Sequence, residues 1–129
     1  MTTMRGLNLG AGMLQTTDCF NVDIRPLPGV QALVDLEHVP LPFKSNWAEL
    51  VLAVDCIEHI PRAIPLIEEV WRILQVGGQF FVHTGHYRYQ NAFCDWEHCH
   101  FPTVDSFSFF DRRTFWGQKY HWYSHARFE

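Results

Sequence analysis

Leu50-Val51-Leu52-Ala53-Val54 is apolar without a break, and directly after it the spacing of apolar residues changes. A short unbroken apolar run reads as a strand buried on both faces. Ile57, Ile60, Ile64, Ile67, Trp71 and Leu74 then recur at alternating short steps that draw one stripe along a helix. Proline is tolerated in a first helical turn but not in the interior. Pro61 and Pro65 therefore predict a main helix from near Arg62 to Leu74, with Glu58-His59-Ile60 in its entry turn. Gly77-Gly78 is expected to cap it, and Gln79 to Thr84 to form the next strand. Strand, helix, strand implies a crossover and hence parallel strands, which excludes most all-β and all-α architectures.

The residues upstream fit the same plan. Leu7-Asn8-Leu9 ends a short strand closed by Gly10-Ala11-Gly12. Phe20 to Ile24 forms a second before Pro26 and Pro28, Val30 to Val34 a third, and Pro40, Pro42 and Lys44-Ser45-Asn46 make a loop. The expected fold is α/β, a Rossmann-like and mostly parallel sheet that binds its ligand at the carboxyl ends of the strands. With 129 residues, 47% hydrophobic and 19% charged, the chain is expected to make one domain. Residues 1–84 would form the sheet-building core and residues 85–129 a second segment of different character. A formal net charge of -4 argues against a nucleic-acid surface. No apolar run approaches the roughly 18 residues that span a bilayer, and no signal peptide is visible. Cys19, Cys56, Cys94 and Cys99 lack CxxC spacing, so free thiols and a cytoplasmic location are expected.

Aromatic content is 16% and lopsided: only Phe20, Phe43, Trp47 and Trp71 precede residue 80. In the second segment, residues 86–101 read as an ordered loop and Val104 to Phe110 as a short helix. Gln118 to Phe128 alternates with a period of two, which predicts a strand. An edge strand rich in aromatics is a plausible surface for a homodimer.

Several residues carry chemistry. Gly10-x-Gly12 after a strand allows a ligand close to the backbone, although ordinary turns use the same pair. Asp23, ending the second strand, is placed to accept hydrogen bonds from ribose hydroxyls, or is simply a turn aspartate before Pro26. Asp35-Leu36 could flank an adenine, or be loop residues.

Taken in order, Leu7-Asn8-Leu9-Gly10-Ala11-Gly12, Asn21-Val22-Asp23, Val34-Asp35-Leu36, Leu41-Pro42-Phe43, Leu52 to Ile60 and Glu69-Val70-Trp71-Arg72-Ile73-Leu74-Gln75-Val76-Gly77-Gly78 resemble the class I S-adenosylmethionine-dependent methyltransferases of the type 11 group. The resemblance implies S-adenosylmethionine as cofactor. Gly10, Ala11 and Gly12 would lie under its methionine and ribose, Asp23 would bind the ribose, and Ile24 would pack on adenine. Asp35 and Leu36 would flank the adenine amine, Asp55 would face cofactor or acceptor, and Glu58-His59 would sit at the mouth.

Departures from the family pattern are Asn8 where an acid is usual, Leu14 where a third glycine is usual, Val76 before Gly77-Gly78, and only residues 13–19 in the first crossover. Family members also run longer after the aromatic loop, so the chain reads as a short or C-terminally truncated version.

Asn91-Ala92-Phe93-Cys94-Asp95-Trp96-Glu97-His98 resembles the stretch of this group where the methyl acceptor is expected. Asp95 and His98 are the expected contacts to a small polar acceptor, for example a sugar derivative, with His98 or His86 as a base near neutral pH. His83, His86, Asp95, Glu97, His98, Cys99 and His100 could be read as metal ligands, but their spacing matches no ligand pattern and no metal is expected. The rival expectation is a degenerate domain that binds the cofactor weakly or not at all and serves in assembly.

Overall fold

The computed structural model describes residues 4–129. Five strands, β1 (Gly6–Leu9), β2 (Cys19–Asp23), β3 (Ala32–Leu33), β4 (Ala48–Val54) and β5 (Leu74–His83), form one sheet in the order β3-β2-β1-β4-β5. Every pairing is parallel. The order reverses between β1 and β4, so the ends of β1, β2 and β4 make the crevice where α/β sheets take ligands.

One helix crosses over between strands, α1 (Ala63–Ile73), joining β4 to β5. Pro65 sits in its first turn, where no amide is needed. Its buried seam is Leu66, Ile67, Val70 and Ile73, rotated from the stripe read in the sequence, and Trp71 lies on the rim. This seam packs with Leu7, Leu9, Val22, Val51 and Ala53 in the core. Gly77-Gly78 does not cap α1 as expected. The helix passes directly into β5 at Leu74, and the glycines lie in an irregular entry where the register moves from Ala48↔Leu74 to Leu50↔Gln79. There Gly78 leaves no space for a Cβ, which would lie 3.0 Å from the Ala48 carbonyl oxygen.

Residues 10–18 between β1 and β2 contain turns and no helix. Two buried asparagines make the short passage workable. Asn8 Nδ2 donates to Leu14 O (2.9 Å) and to Asn21 Oδ1 (3.0 Å), and Asn21 Oδ1 also accepts from Thr16 N (3.1 Å). Asn21 Nδ2 returns a bond to Thr16 O (2.8 Å). The unusual residue at position 8 is therefore the staple that satisfies a loop where a helix would otherwise satisfy itself. On the sheet face carrying Asn8, Leu50, Leu52 and Val54 stay outside the core and Phe81 is exposed.

The aromatic segment packs on the α1 side. It contains α2 (Asn91–Cys94), a 3-10 turn at Ser106–Phe110 and α3 (Phe115–Lys119). Phe110 and Ala126 are buried in the core, Phe128 lies against Phe80 (5.7 Å between rings), and the Trp71 indole N–H donates to Arg127 O (3.0 Å). The strand expected over Gln118 to Phe128 is absent, since α3 runs to Lys119 and turns follow. The period of two gave way to a spacing of four: Trp116 and Tyr120 lie on one helical face and stack on Phe109 (5.5 and 5.7 Å), while the Thr114 hydroxyl caps α3 by accepting from Gly117 N. Among the described residues no helix is long and apolar enough to cross a membrane.

Candidate functional site

The carboxyl ends of β1 and β2 are built around one acid. Asp23 is only 5% exposed. Its Oδ2 accepts from Gly12 N (2.9 Å) and its Oδ1 from Arg25 N (2.9 Å), with Arg25 Nε at 3.4 Å. Burial works against its charge, but the amides of Arg25 and Gly12 and then the guanidinium outweigh it and hold the carboxyl below the usual range. The residue is thus an ionised carboxylate beside the glycine turn, with acceptor capacity left on each oxygen. Ala11 N donates to Val22 O (2.9 Å), which sets the turn against β2.

Gly10 and Gly12 both have positive φ, 58° and 50°. Gly10 has a second reason to be glycine: a Cβ there would lie 2.7 Å from Cys56 Sγ. Burial, then the charges of Glu58 and Asp23, push the Cys56 thiol up to about 12. Thiol titration should therefore find Cys94 fast and Cys56 inert in the folded chain, with all four cysteines reacting after denaturation. A Cys56 that reacts as fast as Cys94 would contradict the packing.

Around this turn the other expected cofactor residues take separate places. The side chain of Ile24 is exposed beside Asp23. Asp35 receives the Glu37 amide (3.0 Å) and His38 Nδ1 (2.7 Å), and the first of these does most to lower its carboxyl below the usual range. Leu36 points into the core. Asp55, at the end of β4, has φ 49°, uncommon for a residue with a side chain. Its Oδ1 lies 3.0 Å from His83 Nδ1, and its amide donates to His83 O (2.8 Å). His83 was missed as a partner of Asp55. The signal was available, since parallel neighbouring strands that end together bring their last residues side by side, as Val54↔His83 does.

Of the residues expected to meet an acceptor, the structure joins Asp95 and His98, with Oδ2 3.6 Å from Nε2. His98 Nδ1 donates to Ala92 O (2.9 Å), and its ring meets that of His59 edge-on at 4.6 Å. His86 is turned to its own loop, where Nδ1 accepts from Arg88 N (3.2 Å) and the ring lies on Tyr87. A cavity of about 410 Å³ lies between α1 and the aromatic segment, lined by Glu58, Ile64, Thr84, His100, Phe107 and Tyr123 among others.

Glu69 and Arg72, from the Glu69 to Gly78 stretch that carries part of the family resemblance, have a structural purpose. Arg72 forks onto Glu69 (2.8 Å twice) and reaches Phe43 O (2.9 Å) and Leu41 O (3.2 Å), while Glu69 Oε2 accepts Leu41 N (2.7 Å). The pair fastens the Leu41-Pro42-Phe43 loop to α1.

The comparisons agree with this architecture. No curated protein matches the sequence. Among solved structures, a chain of the "Complex between the Haloferax volcanii Trm112 methyltransferase activator and the putative methyltransferase" aligns with a TM-score of 0.64 and 15% identity. The alignment covers 82% of this chain and 58% of that one, so this chain spans a little over half of that neighbour's length. At that identity the likeness speaks for the fold. A family model described as "Methyltransferase domain" matches residues 3–82, a span that takes in β1 to β4 and α1 and reaches into β5. The chain belongs to that methyltransferase domain family.

Proposed function

We propose that this domain binds S-adenosylmethionine and transfers its methyl group to a small polar acceptor such as a sugar derivative. The observation that carries the reading is Asp23, a buried and ionised carboxylate facing a glycine turn at the carboxyl ends of two adjacent parallel strands. These residues fit the nucleoside half of the cofactor. Asp23 would accept the ribose hydroxyls, the exposed Ile24 would cover the adenine with Asp35 on its far side, and Gly10, Ala11 and Gly12 would pass under the ribose and methionine, whereas Leu36 is taken up by the core and does not flank the adenine as expected. Bound S-adenosylmethionine supplies an electrophilic methyl group on sulfur. What remains for the protein is to position the acceptor, which falls to Asp55, Asp95 and His98, with His98 or His86 taking a proton where the acceptor keeps one.

One observation favours a second reading, a degenerate domain with an assembly role. The first crossover has no helix, so no helix N-terminus faces the cofactor carboxylate, and Arg25 lies across the ribose acid. Calorimetric titration with S-adenosylhomocysteine separates the two. Heat of binding at submillimolar ligand is expected, with loss in Asp23→Ala and weakening in Ile24→Ala, whose exposed side chain leaves the fold untouched. Absence of heat at about 1 mM would favour the degenerate reading.

The neighbour of similar fold is seen with a protein activator, and a protein partner belongs to the proposal for this chain too. A homodimer through the aromatic segment is the form we favour, since Phe115 and Trp122 stand exposed there. A cytoplasmic location goes with it. A particle of monomer mass by light scattering at micromolar concentration would remove the homodimer.

A further inference from the structure

We propose that Glu58, His59 and His98, with Asp95 beside them, form a binding site for one divalent transition-metal ion of the zinc type. Glu58 and His59 belong to the 3-10 turn Ile57–His59 that follows β4, and His98 comes from the loop after α2. One ligand atom from each of the three lies within 4.8 Å of the others. A shared ion about 2.1 Å from each donor needs separations of roughly 3 to 4 Å, a contraction that side-chain rotation supplies.

Glu58 points to a ligand independently of the cluster. It is 3% exposed, and its Oε2 is shielded from solvent with no hydrogen-bond partner among the described residues. A buried carboxylate oxygen left unpaired is costly, and a cation held against it removes the cost.

His98 is already prepared as a ligand. Because Ala92 O can only accept, Nδ1 carries the proton of that bond, and in the neutral ring Nε2 keeps its lone pair. The two contributing segments are also tied together. Cys99 N and Sγ both donate to Glu58 O (2.8 and 3.2 Å), and His100 Nε2 donates to Ile60 O (2.8 Å). Asp95 and Glu97 form a second group around the same His59, so a further carboxylate stands ready for an open coordination position.

Two imidazoles with carboxylate suit zinc, manganese or ferrous iron, whereas calcium and magnesium prefer oxygen alone. The linear sequence hid the site because its ligands come from two segments some forty residues apart. With an ion in place, contact with an acceptor would pass from His98 to the ion. The site itself rests on these side chains and does not depend on methyl transfer.

The test is Zn²⁺ titration of the metal-stripped full chain by calorimetry, with circular dichroism to follow the fold. One ion per chain is expected, with a dissociation constant of about 1 μM or below. His98→Ala and Glu58→Gln should each weaken it at least about tenfold. Co²⁺ in place of zinc should show ligand-field bands without sulfur-to-metal charge transfer. His59→Ala serves as a further variant if Glu58→Gln does not fold. No uptake by the folded chain at about 1 mM Zn²⁺ would overturn the proposal. So would uptake that survives both His98→Ala and His59→Ala, because the ion would then sit on other histidines or thiols.

Discussion

Glu69→Ala is expected to cost about 1 to 3 kcal/mol, the range for leaving a buried hydrogen-bonding group without its partner, because the stranded Arg72 is itself only part-buried. The change strands two groups at once: the Arg72 guanidinium keeps only the Leu41 and Phe43 carbonyls and the Ser45 hydroxyl, and Leu41 N loses its acceptor. A chain of this size has about 5 to 15 kcal/mol in all, so the melting temperature should fall by roughly 5 to 10 °C. The pH dependence follows from the Arg72 hydrogen bonds, which hold the Glu69 carboxyl below the usual range. A lowered folded pKa means that the contribution is complete above the unfolded value of about 4.3 and is lost as pH falls through the folded one. Chemical denaturation of the parent and of Glu69→Gln should therefore differ most near neutrality and converge in acid. A constant gap down to pH 3, well below that unfolded value, would mean that the pair is not what the charge stabilises.

Gly10→Ala should cost about 2 to 4 kcal/mol, from a left-handed backbone of roughly 1 to 2 kcal/mol and overpacking of similar size. At φ 58° any Cβ is disfavoured, and this one would meet Cys56 Sγ at 2.7 Å and Cys56 Cβ at 3.2 Å. A double-mutant cycle divides the two causes. Cys56→Ala removes the sulfur and should recover the steric part in the Gly10→Ala background, leaving the backbone part. If Cys56→Ala recovers nothing, the close approach of the segments that follow β1 and β4 is not the reason for the glycine.

These two sites mark how far the sequence could be read. The unbroken apolar run at β4, the helix with Pro65 in its first turn and the succession of strands along the chain follow from local periodicity, because each burial pattern repeats over several residues. The acid at 23 was legible for the same reason, being the polar residue that ends an apolar strand before prolines. The aromatic tail was not. Alternating residues from Gln118 to Phe128 fit a strand, but a strand needs a neighbour, and Trp116, Tyr120 and Phe109 gain more by stacking across a short helix. The Gly77-Gly78 turn failed likewise, since it answers to the Ala48 carbonyl on another strand. In the candidate site, Asp95 with His98 was readable from one segment, while Asp55 with His83 and Glu58 with His98 join residues from different segments.

Taken alone, the order of residues determined a parallel α/β sheet, its glycine turn and the acid beside it, because those depend on what is near in the chain. The tertiary structure decided which distant groups meet. It closed the short crossover with Asn8 and Asn21, tied the Leu41 loop to α1 through Glu69 and Arg72, and set His98 against Glu58 and His59. Hydrogen bonds and ion pairs between segments carry no period, so only the folded chain displays them.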